Sequence, residues 1–415
     1  MYQAPRGTAD ILPEEQAYWD YVRVKASAAG QLYGYQRIDS PVFEDAGLFV
    51  RSVGQGTDIV EKEMYTFADK GGNQVTLRPE GTAPVCRAYL EHGLHNLPQP
   101  VKLYYFASIF RYERPQAGRF REHHQFGCEA IGDDDPALDA EVIALAWQFF
   151  HSLQLRRLSL QLNSIGCKRC RPAYLDVLRK YYADHTAGLC PDCRDRLQRS
   201  PLRLLDCKKQ SCQQAADNAP RSVDYLCGEC GTHFRELGEY LELQDIPFTV
   251  NHRLVRGLDY YTRTVFEVQP ASGGAQSTLG GGGRYDDLIE ELGGRPTPAI
   301  GFAVGIERIV LNLKKQGIAV PPLPAPQVFI ACMGNEARKE AVRLSAVLRQ
   351  AGKGAVVAAG GKSLKAQLRQ ANARGCRYTV IIGEEEVRNG SAVLRDMENA
   401  RQETVSPGEI LGRLG

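Results

Sequence analysis

The spacing of apolar and polar positions changes several times along the chain, and those changes divide it. Glu14 to Leu32 repeats its apolar residues at helical spacing and stops at Gly34, which predicts an amphipathic helix. Tyr35 to Phe49 reads as a strand interrupted by Pro41, an edge or interface strand rather than a central one. Glu63 to Phe67 and Gln74 to Leu77 predict a hairpin around Asp69 to Gly72, and RPEGT (Arg78 to Thr82) then leads into a helix from Ala83. Val101 to Phe110 is an apolar strand, and a second strand returns after a turn at Gly118. Leu138 to Leu153 is a long helix, followed by the strand LSLQLNSIG. Beyond a cysteine-rich stretch, FTVNHRLV and TRTVFEVQ are strands again. GGGGRYDDLIEELGG reads as a glycine turn opening a helix, and AIGFAVGIERIVLNL as a strand feeding a helix.

Pro321, Pro322, Pro324 and Pro326 then form a stiff linker. After it, VFIA, AVVAA and YTVIIG alternate with helices at Glu336 to Gln350 and Ser363 to Ala373, which predicts a small α/β domain with a largely parallel sheet. The expected fold is therefore α+β. Residues 1–322 form an antiparallel-sheet domain carrying a helical, cysteine-rich insertion at 165–245, and residues 326–415 form the α/β domain.

Composition narrows the function only a little. A 415-residue chain can hold two or three domains. A formal net charge of +2 gives no chain-wide field, so any nucleic-acid surface must be local. The first residues, MYQAPRGTADILPEEQ, lack the apolar region of a secretory signal, and no apolar run approaches a membrane span. A cytoplasmic protein with reduced cysteines and no membrane partner is the expectation.

The chemistry concentrates in four segments. FRYERPQAGRFREHHQFGCEAIG (Phe110 to Gly132) sets Arg111, Arg114, Arg119 and Arg121 around one hairpin whose returning strand carries Gln125 and Glu129. Guanidinium forks suit phosphate oxygens, whereas the carboxylate and amide suit amino, hydroxyl or imidazole groups. A solvated basic edge would explain that hairpin taken alone. RPEGT places Glu80 and Thr82 at a strand-to-helix turn, where backbone N–H groups and a carboxylate can face a ligand. RGLDYYTRTVFE (Arg256 to Glu267) adds an arginine and two tyrosines, and GIERI (Gly305 to Ile309) ends a glycine-punctuated strand with Arg308. Four such segments among apolar strands are too many costly charges for structure alone.

Over essentially its whole length the sequence resembles the histidyl-tRNA synthetases, which are class II aminoacyl-tRNA synthetases. FRYERPQAGRFREHHQFGCEAIG resembles motif 2 of that class, AIGFAVGIERI motif 3, and the Pro41 segment motif 1, the dimer-interface strand. RGLDYYTRTVFE resembles the histidine-specific signature and is the most selective of the four. The resemblance implies ATP-dependent ligation of L-histidine to tRNA(His) through a histidyl-adenylate, with AMP and pyrophosphate released, by a homodimer. It implies that Arg256 and Arg111 are catalytic at the α-phosphate. Glu113, Arg119 and Arg308 would join Arg111 in binding ATP, with Mg2+ on the β and γ oxygens. Imidazole needs a partner for each ring nitrogen, and Glu129, Tyr260 and Tyr261 would read it. Glu80, Thr82 and Gln125 would hold the α-amino group. Arg114 and Gln116 would meet the tRNA acceptor end. The C-terminal domain would bind the anticodon, with Lys362, Lys365, Arg369, Arg374 and Arg377 as its basic surface. Tyr285 stays open between pocket and core, and His123 and His124 are expected to stabilise the hairpin. Silent paralogues that sense histidine or tRNA, or serve as regulatory subunits, share the fold. They tend to lose the signature or the anticodon domain, and this chain keeps both.

Eight of the twelve cysteines form the pairs Cys167-x2-Cys170, Cys190-x2-Cys193, Cys207-x4-Cys212 and Cys227-x2-Cys230. The 19 residues between the first two pairs suit a four-cysteine zinc site, while the x4 pair is a looser match. One or two closed structural Zn2+ sites are expected, and the spacing leaves open whether the pairs combine in order or interleave. This insertion varies within the family and carries no obligatory metal, so here the sequence departs from the family pattern. Between Cys167 and Cys230 there are 12 Lys/Arg against 8 Asp/Glu, which also suits a tRNA-facing surface.

Overall fold

The computed structural model describes residues 2–54, 56–114, 120–271 and 278–414. The chain divides into two compact units, Met1–Pro321 and Pro322–Gly415. In chain order the first unit's strands are β1 (Gln36–Arg37), β2 (Phe43–Asp45), β3 (Tyr65–Ala68), β4 (Gln74–Leu77), β5 (Val101–Phe110) and β6 (Glu122–Ile131). They continue as β7 (Leu158–Ser164), β8 (Phe248–Val250), β9 (Thr262–Pro270), β10 (Gly280–Arg284) and β11 (Ala299–Gly305). Eight of them form one sheet in the order β1-β5-β6-β11-β10-β9-β7-β8. Every neighbour is antiparallel except the two edge pairs, β1/β5 and β7/β8. The predicted antiparallel α+β architecture is what the chain adopts.

Strand alternation gives this sheet two unlike faces. Tyr104, Phe126, Cys128 and Phe302 point into an apolar core covered by the helices Gln16–Leu32, Pro136–Ser152 and Ile306–Lys315. Leu103, Tyr105 and Ile109 point the other way, toward Tyr260, Tyr261 and Tyr285. Within β6 this alternation sends Gln125 and Glu129, four residues apart, to the face opposite Phe126 and Cys128. The register sets Glu129 opposite Leu103 and Gln125 opposite Ala107.

Three local readings of the sequence need correction. Ala46–Val53 is a helix, not the end of a strand: the Asp45 carboxylate accepts the Gly47 N–H at 2.7 Å, an N-cap, and Phe49 and Val53 bury one stripe. Only Phe248–Val250 of FTVNHRLV is strand. The glycine run is not a turn but strand β10, paired to β9 and β11 inside the sheet. A Cβ at Gly282 would overlap the Gly301 carbonyl oxygen, so only glycine lets the three strands pass this closely.

The insertion is helical, with helices at Arg171–Ala183, Pro191–Arg199, Gln210–Asp217 and Gly228–Leu243. In the second unit, β12 (Val328–Cys332), β13 (Ala355–Val357), β14 (Tyr378–Ile382), β15 (Ala392–Asp396) and β16 (Gln402–Val405) form a sheet in the order β13-β12-β14-β15-β16. The β13/β12 and β12/β14 pairs are parallel, but β14/β15 and β15/β16 are antiparallel, so the sheet is mixed rather than largely parallel. Lys362, Lys365, Arg369, Arg374 and Arg377 are all exposed at or beside the helix Leu364–Ala373.

Candidate active site

Where β6, β9, β10 and β11 expose their site-facing residues, a cavity of about 270 Å³ opens. Arg111, Glu113, His123, Gln125, Arg256, Glu267, Glu307 and Arg308 all line it. Three arginines from distant parts of the sequence thus meet over a floor that includes Gly280 and Gly281. Each is held in place. Arg111 Nε donates to the Pro79 carbonyl at 2.7 Å, which ties it to the RPEGT turn. Arg308 donates to the Thr278 carbonyl at 2.8 Å. Arg256 pairs with Glu267, whose other oxygen accepts the Thr278 hydroxyl at 2.8 Å. Burial works against the Arg256 charge, but Glu267 and Tyr261 overcome it and raise its pKa. Among the described residues the buried Arg256 Nε has no hydrogen-bond partner, a donor left over in the wall of the cavity.

Beside the cavity lies a second, fully buried polar cluster. Glu129 is 1 % exposed. Its carboxylate accepts the Thr82 hydroxyl at 2.8 Å, the Tyr105 hydroxyl at 3.2 Å and the Tyr285 hydroxyl at 2.5 Å. Burial pushes its pKa up to about 8, against the pull of the Tyr285 and Thr82 hydrogen bonds, and Glu80 pushes it further. Tyr260 and Tyr261 lie in the same cluster, with ring centroids 4.8 Å apart, and Tyr260 meets the Tyr285 ring edge-on at 5.7 Å. The guanidinium of Arg256 stands 6.0 Å from the Tyr261 ring, so the two clusters adjoin. Chemically, the cavity offers cations for phosphate oxygens, and the cluster offers a carboxyl and phenols for a small polar ligand.

Comparison with known proteins shows which family the chain belongs to. The family described as "Histidyl-tRNA synthetase" matches residues 7–170 and 189–309, and the "Anticodon binding domain" matches residues 327–415. The chain belongs to the histidyl-tRNA synthetase family. It is 62% identical over 411 residues to a histidine--tRNA ligase of Dehalococcoides mccartyi, covering 99% of this chain and 98% of the relative. It is 50% identical to that of Desulforamulus reducens, over 98% of this chain and 97% of the relative. Its structure is similar to apo S. aureus histidyl-tRNA synthetase, with a TM-score of 0.83 and 38% identity over 100% of both chains.

Within this family frame, some residues singled out from sequence converge and others do not. Arg111, Glu113, Gln125, Arg256 and Arg308 share the cavity. Thr82, Glu129, Tyr260 and Tyr261 share the buried cluster. Glu80 caps the helix Thr82–Glu91: its carboxylate accepts the Thr82 and Ala83 N–H groups at 2.6 and 2.8 Å. Those N–H groups are consumed by their own turn, so they do not face a ligand as the sequence suggested. Arg114 is exposed, and Gln116, Arg119 and the Gly118 turn lie outside the described residues.

Sequence reasoning passed over Tyr105, Glu267 and Glu307, and assigned His123 to the hairpin rather than to the cavity. His124 behaves as expected: its backbone N–H and ring hold Glu307 at 2.8 to 3.0 Å, fixing the hairpin to the helix Ile306–Lys315. Its neighbour His123 instead lines the cavity. Burial, Arg111 and Arg308 depress its pKa to about 3, so the imidazole there is neutral. The signal for His123 was its position, since it shares strand parity with Gln125 and Glu129.

The eight cysteines of the insertion gather into two clusters. Cys167, Cys170, Cys227 and Cys230 form the outer one, and Cys190, Cys193, Cys207 and Cys212 the inner, with all sulfurs of a cluster within 4.8 Å of one another. The pairs therefore nest. Cys167 Sγ lies 3.8 Å from Cys170 Sγ and 4.0 Å from Cys227 Sγ, and Cys190 Sγ lies 3.9 Å from Cys207 Sγ. Four sulfurs bound tetrahedrally at about 2.3 Å from one zinc ion stand about 3.8 Å apart, so the donor sets fit that metal. A disulfide would need about 2.05 Å.

Proposed function

We infer that this chain ligates L-histidine to tRNA(His) in two steps. A histidine carboxylate oxygen attacks the α-phosphorus of ATP and the bond to the β-phosphate oxygen breaks, giving histidyl-adenylate and pyrophosphate. A terminal tRNA hydroxyl then attacks the activated carbonyl and AMP leaves. The observation that carries the reading is the meeting of Arg111, Arg256 and Arg308 over one cavity that adjoins the Glu129–tyrosine cluster. A silent paralogue is not favoured, given 62% identity to a histidine--tRNA ligase along nearly the whole chain.

In this reading Arg256 and Arg111 stabilise the charge that develops on the α-phosphate. Pre-placed donors of this kind contribute about 3–4 kcal/mol each, and alignment of the two reactants supplies much of the rest. Arg308 holds the pyrophosphate end, with Glu113 lining the same cavity, and the family resemblance assigns Arg119 to that end as well. Mg2+ would enter with ATP and neutralise phosphate charge, and the cavity-wall carboxylates Glu113 and Glu267 are oxygen donors of the type it takes. Glu129, Tyr260 and Tyr261 read the imidazole, while Thr82, Gln125 and Glu80 serve the α-amino group. Arg114 and Gln116 meet the acceptor end, and the exposed cations around the helix Leu364–Ala373 bind the anticodon arm. Both cysteine clusters hold structural zinc, four thiolates closing each ion to chemistry. The working form is a cytoplasmic homodimer; among the described residues no helix is long and apolar enough to cross a membrane.

Pyrophosphate exchange across a panel of amino acids tests the reading. Exchange should depend on histidine, and full ligation on tRNA(His). Tight histidine binding without exchange would overturn it in favour of a sensor.

A further inference from the structure

The outer cysteine cluster stands one strand end from the residues assigned to histidine. Cys167 follows β7 by two residues, and those two residues are bonded to the segment carrying the signature tyrosines. Ile165 N–H donates to the Arg263 carbonyl at 2.8 Å, and Arg263 N–H donates to the Gly166 carbonyl at 2.9 Å. Arg171 opens the helix that starts immediately after Cys170, and its N–H donates to the Cys167 carbonyl at 2.9 Å. Its guanidinium donates to the Ile165 carbonyl at 3.3 Å, the Gly166 carbonyl at 3.0 Å and the Tyr261 carbonyl at 2.6 Å. The Cys167–Cys170 knuckle, Arg171 and the backbone from Tyr261 to Arg263 are thus one hydrogen-bonded unit.

Two further features show that this unit is held under constraint. Arg263 sits at φ 46°, a conformation that a non-glycine residue keeps only where its surroundings enforce it. Gly166 has φ +71°, and a Cβ there would come 2.9 Å from Cys170 Sγ, so backbone and cluster are fitted to each other. The cluster is also built for a thiolate-bound cation. The Cys167 N–H donates to Cys170 Sγ at 3.3 Å, the second-layer bond that settles a metal thiolate. Four thiolates around a divalent ion leave two negative charges, and Lys168, Arg169 and Arg171 flank them. Lys168 also bridges to Asp287 at 3.2 Å and Arg169 pairs with Glu229.

Without an ion, the two halves of the cluster, 60 residues apart, meet through thiol contacts and the exposed Arg169–Glu229 pair. With one, the knuckle is fastened to the helix Gly228–Leu243, whose Leu237 and Leu241 belong to the main core. The inner cluster docks elsewhere: Arg196 and Arg203 each reach Asp58 at 2.8 Å.

We propose that the outer cluster binds a zinc-type divalent ion whose task is to position Tyr261, through Arg171, for recognition of histidine. The ion touches no substrate, and Arg171 is a positioning residue. The proposal rests on the assignment of Tyr260 and Tyr261 to the amino-acid pocket.

The test combines metal content with kinetics on the full chain. Protein loaded with zinc should hold two ions, and cobalt loading should give thiolate-to-metal charge-transfer absorption. Cys227→Ser should lose one ion and raise the KM for histidine about tenfold, the scale of losses from groups supporting a metal site, with the KM for ATP and kcat little changed. Arg171→Gln should raise the histidine KM equally while keeping both ions, which separates positioning from misfolding. Cys193→Ser should lose the other ion and leave the histidine KM alone. The proposal is overturned if the wild type binds neither zinc nor cobalt, or if Cys227→Ser loses its ion with histidine KM unchanged. It is also overturned if Cys193→Ser raises that KM as much. A wild type with no histidine-dependent exchange would sink the functional reading instead, because metal content and the cobalt spectrum are measured without activity.

Discussion

Substituting Glu129 by Gln should stabilise the ligand-free protein and weaken its grip on histidine. Burial raises the Glu129 carboxyl from its ordinary value of 4.5 to about 8 in the folded chain. Between those two values the unfolded chain has released the proton and the folded chain retains it. Folding therefore takes up a proton in this window, and stability falls as pH rises through it. At about pH 7 the penalty is roughly 3 kcal/mol, and it levels off near roughly 5 kcal/mol above the folded pKa. Glutamine removes the titration and keeps an acceptor for Tyr285 as well as donors for the Thr82 and Tyr105 oxygens, since hydroxyls can turn to accept. Urea unfolding followed by tryptophan fluorescence reports the relevant unit alone, because both tryptophans of the chain, Trp19 and Trp147, lie within Met1–Pro321. From about pH 5 to 9 the wild-type midpoint should fall relative to that of Glu129→Gln, with equal slopes in urea. Saturating histidine should narrow the difference. A charge-assisted bond from imidazole N–H to an ionised Glu129 is worth about 1.5–3 kcal/mol, so the variant's KM for histidine should rise about 10- to 150-fold. Parallel pH curves for the two proteins would refute the raised carboxyl, and an unchanged histidine KM would remove Glu129 from the pocket.

Three further outcomes are expected. With Arg256 in its proposed role at the α-phosphate, Arg256→Lys should lower kcat for pyrophosphate exchange about 10²- to 10³-fold, because a point charge cannot replace a guanidinium fork; a wild-type kcat would exclude the role. Asp139→Asn should cost about 1.5–3 kcal/mol in urea unfolding, because it removes the charge from a bond that Arg284 donates to Asp139 at 2.7 Å with both side chains 0 % exposed, while Arg284 keeps Asp286 at 2.8 Å. Burial favours protonation of Asp139, but Arg284 and then His233 hold its pKa below the ordinary value. The wild type's share of stability from this group is therefore present above the unfolded pKa and lost as pH falls through the folded one. Gly282→Ala should lower stability by at least the roughly 1–3 kcal/mol of an overpacked core, read as a lower urea midpoint, because the new methyl meets the Gly301 carbonyl.

The framework of the catalytic unit was legible because its signals are local. The ten-residue strand β5 shows as an apolar run with β6 returning from it, and the helix Pro136–Ser152 begins at an aspartate cap followed by proline. The even spacing of Gln125 and Glu129 on β6 is also enough to put them on one face. The helix Ala46–Val53 was missed because a strand pattern leading into it was carried one cap too far past Asp45, although the Phe49–Val53 spacing was there to read. The partners of Glu129 were a different matter. Tyr105 and Tyr285 lie 24 and 156 residues away from it, and nothing near Glu129 in sequence announces that its carboxyl would be buried among phenols.

Glycine and cysteine show most clearly where local reading fails. Four consecutive glycines signal a turn because glycine enters conformations other residues avoid. In β10 the same residues are strand, and what matters is the missing side chain, which lets β9 and β11 close on both sides. The residue type is identical in the two uses, and only the neighbours, supplied by distant sequence, distinguish them. The cysteine pairs obey the same logic. Spacing along the chain favours joining Cys167-x2-Cys170 to Cys190-x2-Cys193, the nearest match to a four-cysteine site. The fold instead returns Cys227 and Cys230 to the first pair, because the helix that carries them must lie on the core beside Pro136–Ser152, where His233 reaches Asp139 at 2.8 Å. A buried histidine–aspartate bond in the main core thus helps decide which sulfurs meet in the insertion.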